Sequence, residues 1–472
     1  MAVILGRDEL GRVIETQFHD GKVQISCRGD SSRNKRESSR RYIVDLLTRM
    51  FLPAGYPQSV SPDYLRYQIL NALQAFCNSL ASLLSSRAIL QGFGVGDPTA
   101  TPTGALLLTI LQDVCSRLTT IFSAHIFGSS LYPEAKTYRL LADILNDTAV
   151  ILDTLSPWFN TLPIPGLRIF SLCLSAAFKS LCGICAGGSK AAITIHFSTP
   201  LVGKGDVGDL NAKDASKETV LALFGMLLGI LIVPYVTTPS ATYTALVILV
   251  GLHLTTNYFG VRGLVLRSLN RQRLSIVWNT YRSSPTLQVP TPSSAAASER
   301  IFEGSGIIRD VDTLHVQGHC TIGSSFSDIL RSPLPTELLD LFDQERYILW
   351  FDPRYLIHHD GQDPARSMSF SGLRRLHIFL KEGYTSTDQL RAWVHAVEVC
   401  CDRGLRADNI TDPLEIIRTA HRTISSKFSD FLSKLRAAGW NTDEVAIMTG
   451  APQLVITDIS QGTVGPEGKK TR

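Results

Sequence analysis

Arg139, Asp143 and Asp147 recur every four residues, so a helix would line them up on one stripe, with Asn146 beside it. One cation and two carboxylates in an otherwise apolar segment have two uses. In a bilayer such groups are expensive and mark a path for a small solute or ion. Packed in a polar groove, they pair with one another and do no more than hold helices together. Pairing within the stripe already satisfies the second reading, which is the simpler one.

The other chemistry-bearing residues form no active constellation. Gly92, Gly94 and Gly96 alternate, but a phosphate-cradling loop follows a strand and opens a helix, whereas this one follows a long helix. An interhelical turn fits better. Cys182-x-x-Cys185 is an isolated pair in an apolar run, without the second pair or histidines of a zinc site, and reads as core packing. His358-His359 are adjacent and point apart, while His196 and His253 stand alone in apolar surroundings, as core histidines with internal partners do. No nucleophile–base pair and no lysine in a pyridoxal-phosphate context appears. The expectation is no catalytic residue, no metal and no cofactor, hence not an enzyme. A formal net charge of +4 is too small to argue for nucleic acid.

The elements that must position the stripe are helical and apolar. From Thr219 through Val261 there is no Asp, Glu, Lys or Arg. As one helix this run would be about 65 Å long, twice a hydrocarbon core of roughly 30 Å. It breaks at Thr237-Thr238-Pro239-Ser240, which predicts two spans joined by a tight turn. Lys213/Lys217 and Arg262/Arg267/Arg271/Arg273 flank it, placing both ends and the C-terminal region on the cytoplasmic or an equivalent face. Ahead of it, Ser61 and Pro62 are set to open a helix from Tyr64 to about Gln91, with Leu73, Phe76, Leu80, Leu83 and Leu84 on one face and Asn71, Gln74, Asn78 and Ser82 on the other. Mixed-polarity helices follow over 104–127, where Asp113 and Arg117 are an i,i+4 pair, over 138–155, and over 165–186. Gly183, Ala186, Gly187, Gly188, Ala191 and Ala192 allow close helix approach.

The predicted fold is mainly α. A multi-helix membrane-embedded domain with a transmembrane helical hairpin is followed by a small soluble α+β C-terminal domain. Residues 1–41 are a β-prone segment, with a hairpin turn at Asp20-Gly21, and a basic linker. The helical domain takes 42–282, a Ser/Pro/Thr/Ala linker 283–299, the C-terminal domain 300–460, and a disordered tail 461–472. In the C-terminal domain, Tyr347–Phe351 and Arg375–Leu380 are strand-like. Thr385 or Thr387 caps a helix to about Cys401, a second helix runs from Pro413 to about Ala438 and is closed by Gly439, and 445–448 and 454–457 close as strands. The N-terminus lacks a secretory h-region. Nine cysteines without regular spacing argue for a reducing compartment, and so for an intracellular organelle or endomembrane.

Five blocks occur in order: Leu52-Pro-Ala-Gly-Tyr-Pro-Gln-Ser-Val-Ser-Pro-Asp-Tyr-Leu-Arg-Tyr-Gln68, Gly92-Phe-Gly-Val-Gly96, Tyr138-Arg-Leu-Leu-Ala-Asp-Ile-Leu-Asn-Asp147, Gly187-Gly-Ser-Lys-Ala-Ala192 and Asn211-Ala-Lys-Asp-Ala-Ser-Lys-Glu-Thr219. Together they make the chain resemble the root UV-B sensitive protein family over roughly 40–285. The likeness continues more weakly through Phe379-Leu-Lys-Glu-Gly383, Trp393-Val-His-Ala-Val397 and Gly439-Trp440. Lys190 stands where the family block leads one to expect arginine, which keeps charge but not bidentate pairing. The resemblance implies a membrane-associated protein linked, in plants, to UV-B responses, vitamin B6 homeostasis and auxin transport, with family members interacting as homo- or hetero-oligomers. It brings no established reaction. The expected function is therefore a non-enzymatic membrane adaptor or regulator, with membrane lipid as a partner; the alternative is a small-solute transporter using the stripe. The polar lead-in Asn211, Lys213, Asp214, Ser216 and Glu218 is the second candidate site, since a helix N-cap at Asp214 or Ser216 would explain only one or two of these residues.

Overall fold

The computed structural model describes residues 2–7, 13–19, 22–27, 43–44, 46–93, 102–201, 203–310, 312–325, 334–351, 374–401, 412–448 and 450–458. The chain divides into two compact units, Met1–Leu266 and Arg267–Arg472.

The first unit opens with an antiparallel meander, β1 (Ala2–Arg7), β2 (Val13–His19) and β3 (Lys22–Cys27). His19 pairs with Lys22, so the register brackets the expected hairpin turn, whose Asp20 and Gly21 lie outside the described residues. The basic linker 28–41 lies outside them too. Six long helices follow: α1 (Tyr64–Gly92), α2 (Pro102–Phe127), α3 (Ala135–Phe159), α4 (Leu167–Ser198), α5 (Val207–Ile232) and α6 (Pro239–Arg262).

The break in the uncharged run falls where the sequence puts it. A short 3-10 turn, Val233–Tyr235, ends α5, and Thr238 caps α6 by accepting from Ala241 N at 3.2 Å, with Pro239 in the first turn. The two helices do not form a simple hairpin, because each packs chiefly on α1. Glycines permit this: a Cβ on Gly225 would stand 2.7 Å from Ser79, and on Gly229 2.1 Å from Leu83. Apolar helices of span length are also not confined to 219–261. Thr103–Phe127, Leu167–Ser198, Val207–Tyr235 and Pro239–Arg262 are all long and apolar enough to cross a membrane.

Three local expectations change. Asp63, not Ser61, occupies the N-cap position of α1; Ser61 Oγ donates to Asp63 Oδ1 at 2.6 Å instead of capping the helix. Asp206 caps α5, accepting from Gly208 N at 2.7 Å, so the lead-in from Asp209 to Glu218 lies inside the helix and neither Asp214 nor Ser216 caps it. The amphipathicity of α1 is partly inverted: Gln74, Cys77 and Ser85 are buried, whereas Leu73 is 48% exposed.

The second unit is α+β. β8 (Arg374–Lys381) pairs in parallel with β6 (Val316–Ile322) and antiparallel with β7 (Tyr347–Phe351). β5 (Ile307–Arg309) lies beyond β6, and β10 (Val455–Ile456) extends the C-terminal end of β8. Helix α10 (Ser386–Cys401) starts with a reciprocal cap, Thr385 N to Asp388 Oδ2 at 2.8 Å and Asp388 N to Thr385 Oγ1 at 3.3 Å. Helix α11 (Pro413–Ala437) ends at Gly439, whose φ of 90° suits glycine. Trp278, Trp393, Phe342 and Phe431 fill the core.

The division after Leu266 differs from the expected 282/300 boundaries for a packing reason. Helix α7 (Arg271–Ser283) buries Leu274, Val277, Trp278 and Tyr281 in the second unit's core. The expected linker 283–299 contains helix α8 (Pro292–Ser298), whose Ala295 joins that core. Strand β4 (Ser268–Asn270) pairs with β9 (Asn441–Ala446). Several basic residues counted as topology flanks are therefore structural: Arg273 pairs with Glu299 at 2.7 Å, Arg271 Nε donates to Ile447 O at 2.6 Å, and Arg267 Nε donates to Gly439 O at 2.7 Å. The tail 461–472 and His358-His359 lie outside the described residues.

Candidate functional site

A cavity of about 380 Å³ opens within the six-helix bundle. Its walls include Asn71, Gln74 and Asn78 from α1, Arg139, Asp143 and Asn146 from α3, Cys182, Gly187 and Lys190 from α4, Asp214 and Glu218 from α5, and His253 from α6. Arg139, Asp143 and Asn146 of the expected stripe, but not Asp147, thus meet Asp214 and Glu218 of the expected lead-in in one space, joined by Gly187 and Lys190.

Two ionic clusters form the walls. In the first, Arg139 Nη1 lies 3.1 Å from Asp143 Oδ1, with Nη2 donating to Asn71 Oδ1 at 3.2 Å and Nε to Tyr67 OH at 3.3 Å. Asp143 Oδ2 also accepts hydrogen bonds from Gln74 Nε2 and Asn257 Nδ2. Three helices therefore converge on one carboxylate, which meets the demand that a buried charge be both paired and hydrogen-bonded. In the second, Lys190 Nζ reaches Glu218 Oε1 at 2.8 Å, and Lys217 Nζ bridges Asp214 at 2.9 Å, Gln68 at 2.8 Å and the Tyr64 hydroxyl at 2.9 Å. Asn146 Nδ2 donates to Asn78 Oδ1 at 2.9 Å, and Asp147 accepts from His253 Nδ1 at 2.8 Å. The cavity can offer a small molecule both signs of charge and several amides.

Not every expected site residue takes part. Asn211 accepts from Thr194 Oγ1 at 3.3 Å, beside the site. Lys213 lies 4.0 Å from Asp209 and donates to Arg49 O, away from the cavity, and Ser216 makes no side-chain hydrogen bond among the described residues. Gly92 closes α1, and a Cβ there would lie 2.8 Å from the Arg168 guanidinium; Gly94 and Gly96 lie outside the described residues. The Asp113–Arg117 pair forms at 2.8 Å on the exposed face of α2, unconnected to the site.

Both lone histidines have acid partners. His196 Nε2 is 3.0 Å from Asp63 Oδ2, which also accepts from Val265 N at 2.8 Å. Burial pushes the Asp63 carboxyl up, but His196, Ser61 and Val265 outweigh it and leave it below the usual carboxylate range. Sequence reasoning missed Gln74 and Asn257 as partners of Asp143, and Lys217 as the hub of the lead-in. The usable signal was Asn257 and His253 standing in a run that carries no formal charge, since polar groups there need internal partners. Of the expected small-residue contacts, Gly188 is real, with a Cβ meeting Leu131 at 2.4 Å, whereas Gly183 and Gly187 face open space.

Comparison with known proteins reaches both units. A family profile described as "Vitamin B6 photo-protection and homoeostasis domain" matches residues 37–284, and one described as "Root UVB sensitive protein, C-terminal" matches 369–449. The chain is 28% identical over 419 residues to "Protein root UVB sensitive 3" of Arabidopsis thaliana, covering 88% of each. It is 33% identical over 261 residues to "RUS family member 1" of Dictyostelium discoideum, covering 55% of this chain and 48% of that one. It is 26% identical to "Protein root UVB sensitive 2, chloroplastic" of Arabidopsis thaliana, covering 86% of this chain and 84% of that protein. No solved structure matches.

Proposed function

The chain belongs to the root UV-B sensitive family, and on that premise we propose that it is a non-enzymatic integral membrane protein that binds and carries a small polar solute for vitamin B6 homeostasis. The observation that carries this reading is the cavity whose walls hold Arg139–Asp143 and Lys190–Glu218 inside a bundle containing four span-length apolar helices. Its volume of about 380 Å³ is at the small end of ligand pockets, roughly 300–1,000 Å³. A substituted pyridine with hydroxyl and charged groups suits walls that present both charge signs. The exposed apolar faces support the membrane half of the reading: Phe224, Leu227, Ile230 and Leu231 on α5 are each more than half exposed.

The experiment is twofold. Alkaline carbonate should leave the protein in the membrane pellet; release into the supernatant sinks the integral reading. Proteoliposomes should take up tritiated pyridoxine, with uptake falling at least tenfold in Asp143→Asn at equal reconstitution. Equal uptake in the two, or none above empty vesicles, sinks the solute reading. The second unit supports the adaptor reading beside it, because it has a core of its own around Trp278 and Trp393. Binding of another family member to residues 267–472 in a co-purification is the outcome that reading expects.

A further inference from the structure

His253 on α6 is 2% exposed and packs against α3. Its Nδ1 engages Asp147 Oδ2 at 2.8 Å, and Asp147 Oδ1 accepts from Asn146 Nδ2 at 3.4 Å. A carboxylate accepts and does not donate, so Nδ1 carries a hydrogen, and in an uncharged ring the lone pair stands on Nε2. That Nε2 has no hydrogen-bond partner among the described residues, and the ring lines the cavity. Other polar groups on the cavity wall hold one another. From α1, Gln74 donates to Asp143 and Asn78 accepts from Asn146; from α4 and α5, Lys190 and Glu218 hold each other.

We propose that His253 Nε2 is the atom that accepts a hydrogen bond from the solute, through a hydroxyl or ammonium group, and that Asp147 is the positioning residue that fixes its tautomer. The inference rests on the solute reading above and adds the chemical class it selects: a small molecule that brings a donor to the α6 wall. A solute with acceptors alone leaves both lone pairs facing and is rejected.

The test uses the purified full-length protein, with pyridoxine as probe. His253→Asn keeps an amide to donate to Asp147 but has nothing at the Nε2 position. It should fold with the wild-type thermal midpoint and bind pyridoxine at least tenfold more weakly. Full binding by this variant overturns the proposal, since a purely structural histidine would be replaced by it. Should the variant not fold, protection decides: pyridoxine must slow the carbethoxylation of wild-type His253 by diethyl pyrocarbonate, and no slowing overturns the proposal. If the wild type binds no pyridoxine, the solute reading fails by itself, and labelling without probe judges the inference. Labelling of His253 at Nε2, with His196 spared because Asp63 holds its Nε2, sustains it. An unlabelled His253 beside a labelled, exposed His125 overturns it. In Asp147→Asn the label should spread to Nδ1 at unchanged midpoint; label confined to Nε2 removes Asp147 from the positioning role.

Discussion

Helices α3 and α11 are equally long, at 25 residues each, and place opposite chemistry inside. α11 buries Ile416, Ile417, Ala420, Ile424, Phe428, Phe431 and Leu435, and turns its charges outward. α3 buries Asp143, Asp147, Asp153 and Thr154 among its apolar contacts, while α2 and α5 of the same unit leave Ile121, Phe122, Ile230 and Leu231 open. In water the first arrangement is stable because apolar area leaves solvent on folding, at about 25 cal/mol per Å². The second makes sense where the surroundings are as apolar as leucine, so that polar groups, small residues and close packing join the helices instead. One chain therefore contains two cores built on opposite rules, and the apolar helices of the first are compatible with a membrane location.

The largest effects should come from the deepest group of each core. Phe431→Ala should cost about 3–5 kcal/mol in the second unit through lost packing. Asp143→Leu should cost a similar amount, about 3–5 kcal/mol, in the first, because it strands Arg139 and the amides of Gln74 and Asn257. Chemical denaturation of the whole protein checks both. A core of the first unit indifferent to Asp143→Leu but sensitive to Leu231→Ala would erase the contrast.

Acid should separate the units next. Burial pushes His395 in the second unit's core down to about 3, with a hydrogen bond to Ile417 O on one nitrogen and the Tyr347 hydroxyl on the other. Its folded value lies below the unfolded value near 6.5, so the unfolded chain binds the proton more readily. Stability is complete above about 6.5 and falls as the pH drops toward about 3, by an amount on the order of a few kcal/mol. His395→Gln should flatten that slope in thermal melts followed by tryptophan fluorescence; an unchanged slope removes His395 as its source.

The smaller effects concern helix approach. Gly188→Val, driven into Leu131, should destabilise by about 1–3 kcal/mol through overpacking. Gly187→Ala, one position away, meets nothing within 4 Å and should be neutral or stabilising by about 0.5–1 kcal/mol, as alanine is the better helix former. Equal effects at the two positions would show that the α4 surface is not packed as described.

Much of the fold was legible because it is local. The break at Thr238-Pro239, the Thr385–Asp388 cap and the Gly439 terminus are each set by two to four neighbouring residues, and each stands where the sequence put it. The packing of α7 was not legible because its apolar face names no owner: Leu274 and Trp278 would serve either unit, and their contacts lie in the second core. The stripe was legible as a stripe, since Arg139 and Asp143 are one turn apart.

By itself, then, the sequence determined the charge-free run, the family and the periodic line-up of Arg139, Asp143 and Asp147. Tertiary structure alone decided which face of α1 turned inward, since leucine is at home in a protein core and in lipid alike. It also decided the partners. Gln74, Asn257 and His253 stand 69, 114 and 106 residues from the carboxylates they serve, and no local rule reaches that far. A buried carboxylate demands several donors at once, and only helices brought together by packing can supply them.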